Sequence, residues 1–240
     1  MGKGEFLQTA YVIHRRNYRE SSAILEIFTR NQGRISAISR GLRRSGKSLV
    51  KSALLQPFAP VAISWMGKSD ILNLTGCEPR GRPHALSDRS LVSGFYLNEL
   101  LYRLIHKSDP HQDLFDYYQF TLEQLEQGGN LDSILRKFEL KLLDEIGYGL
   151  NLDYDVTDGS DLDTEVQYWY TADLGAFRAP VATAQQVGVR GRTLIELREG
   201  ALDDNNSTAA KDARDFMRFI LSYHLGGRAL KSRELFGGSK

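Results

Sequence analysis

Between residues 8 and 77, apolar and polar positions alternate in short runs rich in β-branched and aromatic side chains, each bounded by turn residues. The pattern predicts five strands, at 8–15, 22–30, 34–40, 60–66 and 70–76. Asn31-Gln32-Gly33 and Gly67-Lys68-Ser69-Asp70 suit hairpin turns, because Gly and Asn accept positive φ at little cost. The stretch 41–52 needs a loop or helical turn of its own. After Pro79 and Pro83 the period becomes helical, with Leu91, Phe95, Leu97, Leu100, Leu101, Leu104 and Ile105 on the segment 86–106 and Ser87 or Asp88 as its N-cap. Further helices are predicted at 112–127, ended by Gly128-Gly129, and at 131–146, where Leu135, Phe138, Leu142 and Ile146 form one stripe. A hairpin at 166–170 and 176–178 turns around Asp173-Leu174-Gly175, and helix returns at 193–197 and 208–225.

Five strands with one long excursion fit a small closed barrel of the oligonucleotide/oligosaccharide-binding type, the OB-fold. The fold expected is α+β: an OB barrel over residues 1–80, then a mainly helical domain over 81–240 with an acidic loop and β excursion around 150–180.

Charge sharpens this division. The net charge of +1 conceals a split, for residues 1–80 carry 13 Lys/Arg against 5 Asp/Glu and the remainder 18 against 25. Between Glu26 and Asp70 stand eight basic residues and no acidic one. Such a self-repelling stretch calls for a polyanion, and nucleic acid is the commonest. Arg15, Arg16, Arg34, Arg40, Arg43, Arg44, Lys47 and Lys51 are the candidate phosphate contacts. Tyr11, Tyr18, Phe28, Phe58 and Trp65 are candidates either for stacking on bases or for the core. No run has the apolar length of a membrane span, and the N-terminus lacks the apolar stretch of an export signal, so a cytoplasmic setting is expected with no membrane partner. The lone Cys77 fits a reducing compartment and excludes an internal disulfide or a multi-cysteine zinc site.

Two motifs invite other chemistry. Gly41-Leu42-Arg43-Arg44-Ser45-Gly46-Lys47-Ser48 satisfies the phosphate-loop pattern, which would make the chain a nucleotide hydrolase centred on Lys47. That loop belongs in a parallel βαβ unit before a long helix, and here short strands surround it while Pro57 and Pro60 cut any helix short. The same groups suit DNA backbone phosphates. The acidic series Asp153, Asp155, Asp158, Asp161, Asp163 and Glu165 suggests calcium, but the sixth loop position is Asp158 where the turn requires Gly, so a solvated loop that repels DNA is expected. No residue set points to catalysis, and no metal or cofactor is expected. A protein-interaction adaptor whose basic face meets an acidic partner is the remaining alternative.

Three stretches carry a resemblance: the basic loop running into Ala53-Leu54-Leu55-Gln56-Pro57-Phe58; Leu135-Arg136-Lys137-Phe138-Glu139-Leu140 followed by Ile146-Gly147-Tyr148-Gly149; and, most specific, Leu225-Gly226-Gly227-Arg228-Ala229-Leu230-Lys231-Ser232-Arg233-Glu234-Leu235-Phe236. Together they resemble the bacterial DNA repair and recombination mediator family RecO over nearly the whole chain. The resemblance implies binding of single- and double-stranded DNA, annealing of complementary strands without ATP, and partnership with RecR and single-stranded DNA-binding protein (SSB) in loading the RecA recombinase at gaps. Many members carry a four-cysteine zinc site where this chain has its acidic loop, so zinc is not carried over, and the hairpin around Tyr168, Trp169 and Phe177 must hold that region. The SSB tail is acidic and ends in an apolar residue. Leu135, Arg136 and Phe138 are the expected receptor, with Arg136 clamping the terminal carboxylate. Gly226-Gly227 reads as a helix stop, and Arg228, Lys231 and Arg233 as structural residues or a second DNA contact.

Overall fold

The structure is a computed structural model that describes residues 7–42, 46–182, 185–202 and 207–236. Strands β1 (Gln8–Tyr18), β2 (Ser22–Thr29), β3 (Gly33–Arg40), β4 (Val61–Met66) and β5 (Leu72–Pro79) close into a barrel in the order β1-β2-β3-β5-β4. The first three form an antiparallel meander, β3 meets β5 in parallel, and helix α1 (Gly46–Leu54) connects β3 to β4. The expected five-stranded barrel is therefore present, and its long excursion is helical. Alternation puts Val12, Leu25, Ile27, Ala37, Ile63 and Trp65 inside.

A bulge between Val12 and His14 changes the register of β1. Beyond it Arg15 pairs with the core residue Leu25. The Arg15 guanidinium then donates to Ser52 O (3.2 Å), Leu55 O (3.4 Å) and Ser52 Oγ (3.1 Å). These acceptors lie at the C-terminal end of α1, where carbonyls lack intrahelical partners and a cation is favoured.

Helices α2 (Asp88–Leu104) and α3 (Gln112–Gln127) pack with the barrel. Tyr11 and Phe28, paired across β1 and β2, meet Tyr118 and Phe115 of α3 with ring centroids 5.3 Å apart in each case. His14 stacks on Tyr102 of α2 at 5.1 Å. The segment entering α2 is pinned to α3, because the Glu126 carboxylate accepts from the Arg82 guanidinium and from the Ala85 N–H. By packing, residues Met1–Gln127 and Leu230–Lys240 form one compact unit and Gly128–Ala229 another. The change from strand to helix near residue 80 thus falls inside the first unit.

The second unit contains α4 (Leu131–Glu145), a sheet of order β7-β6-β8 built from β6 (Gln167–Thr171), β7 (Gly175–Phe177) and β8 (Val187–Arg190), then α5 (Gly191–Glu199) and α6 (Ser207–His224). Trp169 faces Phe177 across the expected hairpin. β8 adds a third strand that its four residues did not announce. The acidic loop is an ordered frame rather than a wholly solvated one. Asp155, Asp158 and Asp163 each accept a backbone N–H two residues on, from Thr157, Ser160 and Glu165, at 2.8–2.9 Å. Asp155 is fully buried and faces Arg178 Nε at 3.2 Å. Gly226 and Gly227, at φ 62° and 74°, stop α6 as expected. The chain ends in the first unit with α7 (Ser232–Phe236). There Glu99 of α2 accepts from the Ser232 and Lys231 N–H groups and from the Ser232 hydroxyl. Burial alone would raise the Glu99 pKa, but these bonds and Arg103 outweigh it and hold it below the usual carboxylate value.

Gly33 takes φ 65° at the β2–β3 turn, and a Cβ there would stand 1.8 Å from Asp109 O. Gly33→Ala is expected to lower the unfolding free energy in urea by about 3 kcal/mol. Glu126 is held down from 4.5 to about 2 by Arg82 and the Ala85 N–H. Because its folded-state pKa is depressed, the pin contributes fully above pH 4.5 and is lost as pH falls towards 2. Carboxyl NMR titration should show Glu126 among the most acidic groups, and Arg82→Ala should move it up towards its ordinary value.

Candidate nucleic-acid interface

The outward faces of β1, β2 and β3 are one surface with two fates. On one half, Arg34 Nη1 lies 2.8 Å from Glu26 Oε2, its Nε donates to Ile105 O at 2.9 Å, and its guanidinium sits 5.4 Å from the centre of the Tyr102 ring. Glu26 also accepts from Ser36, itself buried. Arg30 pairs with Asp116 of α3 through two hydrogen bonds. These cations are occupied by the protein's own groups.

On the other half the register sets Arg16 opposite Ile24 and Ile24 opposite Ile38; one pair further, Tyr18 faces Ser22 and Ser22 faces Arg40. Arg16 and Arg40 are exposed and have no ion-pair partner among the described residues. Tyr18 is 37% exposed, and the Arg19 guanidinium lies over its ring at 5.2 Å. Adjacent strands lie about 4.8 Å apart, so the Tyr18-to-Arg40 row spans about 10 Å. The Leu42 N–H donates to Ser21 O at 2.8 Å, which leads the chain out of β3 beside this patch. Lys51, half-buried on α1, has no ion-pair partner among the described residues. An aromatic face among unengaged guanidinium groups is what backbone phosphates and a stacked base require.

The eight predicted cations therefore separate. Arg16 and Arg40 share the open patch, Arg15 holds α1, and Arg34, expected as a phosphate contact, is paired with Glu26. Arg43, Arg44 and the Lys47 side chain lie outside the described residues. Of the candidate stacking residues, Tyr11, Phe28, Phe58 and Trp65 are buried and Tyr18 is open. Arg19 was not singled out from the sequence, although its position in a tight turn beside an exposed tyrosine was a usable signal. β3 belongs to a closed barrel and α1 has nine residues, unlike the parallel βαβ frame of a nucleotide-binding loop.

The receptor expected on α4 is turned inward. Leu135 and Phe138 are 8% and 0% exposed, and Arg136, 5% exposed, donates to both oxygens of the fully buried Glu139, with Nε to Oε2 at 2.6 Å. A carboxylate from outside would have to displace Glu139. The i,i+3 spacing thus gives Arg136 an anion within its own helix.

Arg34→Ala is expected to lower stability by about 3 kcal/mol, since it strands the Glu26 carboxylate, whose side chain is 12% exposed. Arg16→Ala should stay within about 0.5 kcal/mol of wild type. Urea unfolding of the two variants tests the division between structural and available cations.

Comparison with known proteins agrees with this architecture. Residues 1–82 match the family described as recombination protein O N terminal, and residues 89–234 match recombination protein O C terminal. The chain is 44% identical over 234 residues to the DNA repair protein RecO of Methylococcus capsulatus, covering 97% of this chain and 93% of that protein. It is 41% identical over 235 residues to the DNA repair protein RecO of Coxiella burnetii, covering 98% and 99%. The Nitrosococcus oceani protein of the same name is 40% identical over 229 residues, covering 95% and 92%. With both halves matched and the OB-type barrel in place, the chain belongs to the RecO family of DNA repair and recombination proteins.

Proposed function

We propose that the chain is a DNA-binding recombination mediator that breaks no bond. The open end of the β1–β2–β3 face, with Arg16, Tyr18, Arg19 and Arg40, holds the sugar-phosphate backbone of single or double strands. Lys51, exposed in part on α1 and without an ion-pair partner among the described residues, is a further cation available to a phosphate. Neutralising the phosphates of two complementary strands lowers their repulsion, so annealing proceeds without ATP. Family membership supports partnership with RecR and SSB, and with them a part in loading RecA at gaps in the cytoplasm. The observation that carries the reading is that the unengaged cations gather around the exposed Tyr18, whereas Arg30 and Arg34 are tied to the protein's own carboxylates.

Affinity for a short mixed-sequence single strand, measured by fluorescence anisotropy against salt, tests it. With about five phosphates neutralised, log affinity should fall with log salt at a slope near −3.5. The double variant Arg16→Ala/Arg40→Ala should lose about 1.4 from that slope while remaining folded. A wild-type slope near zero would sink the reading.

A further inference from the structure

A cleft of about 660 Å³ opens in the first unit between β1, the segment 80–84 and α3. Its volume is that of a small-molecule site and exceeds what a single nucleotide fills. Inside, a chain of polar groups is engaged. The Tyr11 hydroxyl lies 3.4 Å from His84 Nε2, and His84 Nδ1 lies 3.5 Å from Glu126 Oε2. Glu126 is held in turn by Arg82 and the Ala85 N–H. Two lining charges stand apart from this chain. Glu123, half-buried on α3, and Arg80, exposed at the rim, have no hydrogen-bond or ion-pair partner for their side chains among the described residues. Glu123 is close enough to the Tyr11 phenol for its charge to add to burial in raising the Tyr11 pKa. Pro60 and the Gly81 backbone form an apolar wall, so close that a Cβ on Gly81 would stand 3.3 Å from Pro60 Cγ.

The occupant that fits presents a neutral donor to an inner carboxylate, an anion to an outer guanidinium, and a flat apolar face between them. A nucleotide whose base carries an exocyclic amine has all three, since glutamate accepts from cytosine N4 and arginine pairs with phosphate. A protonated amine would match Glu123 as well but would bring a third cation to a cleft already lined by Arg80 and Arg82. In a single strand the base is already unpaired, so little unstacking is required. Tyr11 and Arg16 lie on the same strand, roughly 17 Å apart along it. We infer that this cleft receives one unpaired cytosine or adenine nucleotide of the bound strand, read by Glu123 and anchored by Arg80. The inference rests on the proposed DNA binding and adds a base preference to it.

The test compares oligodeoxycytidylate with oligodeoxythymidylate of equal length at pH 7.5 and fixed salt, by anisotropy, using the full chain. Thymine lacks the amine. Wild type should favour the cytidylate by about five-fold or more. Glu123→Gln, which keeps shape but both donates and accepts, should bring the ratio near one while thymidylate affinity stays within about two-fold of wild type. A wild-type ratio of one, or a preference that survives Glu123→Gln, overturns the cleft assignment and leaves DNA binding intact. Failure of wild type to bind either oligomer overturns the proposed function as well. Should Glu123→Gln not fold, competition by free dCMP against dTMP on the wild type decides, with equal competition counting against the cleft.

Discussion

Arg34 sits on a barrel strand, yet its guanidinium contacts groups from three directions: the Glu26 carboxylate on the neighbouring strand, the Ile105 carbonyl just past the end of α2, and the Tyr102 ring. A charge 13% exposed is tolerated in this position because every face of it is answered. Its contacts and the aromatic packing of Tyr11 and Phe28 on α3 fasten the helices over one half of the β1–β2–β3 face. What the helices leave uncovered is the other half, and there the remaining cations stay hydrated and unengaged. Engaged and unengaged cations on this barrel are thus separated by which part of a strand the helices reach.

That separation explains what the sequence disclosed. The strands were legible because alternation on a half-buried surface is a local signal, and the first three helices after the barrel because their apolar stripes repeat over several turns. Arg34 and Arg40 were indistinguishable, since both face outward at even spacing on β3 and differ only in whether α2 lies above them. Arg136 was ambiguous in the same way. Apolar neighbours suit a partner's tail as well as the core, and Glu139 three residues on is its ion-pair partner in the structure. β8 and α7, four and five residues long, are too short to show a period of their own.

The acidic loop is held by hydrogen bonds spread along it instead of by one shared centre. A metal site stiffens a loop by drawing several ligands to one centre. Here Asp155, Asp158 and Asp163 each close a small turn by accepting a backbone N–H two residues ahead, while the buried Asp155 is balanced by Arg178, whose guanidinium also lies 5.9 Å from the Tyr168 ring. The frame continues through Tyr168, whose hydroxyl accepts from the Asp163 N–H, and Tyr170, whose hydroxyl donates to the Asn151 carbonyl. A dense run of carboxylates is therefore a poor guide to cation binding when their oxygens are already committed to backbone donors.

The same accounting distinguishes the two places in the first unit where charge is unspent. On the barrel face the unengaged groups are mainly cations, Arg16, Arg19 and Arg40 against the single exposed carboxylate of Glu20, a composition suited to a uniform polyanion and indifferent to sequence. In the cleft beside α3 they are one carboxylate within and one guanidinium at the rim, a polarity that a repeating phosphate chain alone cannot satisfy. The proposed DNA affinity and base preference accordingly call on different surfaces of one unit. The first should weaken steeply with salt because it rests on released counterions, and the second should persist because a hydrogen bond from a neutral amine displaces none.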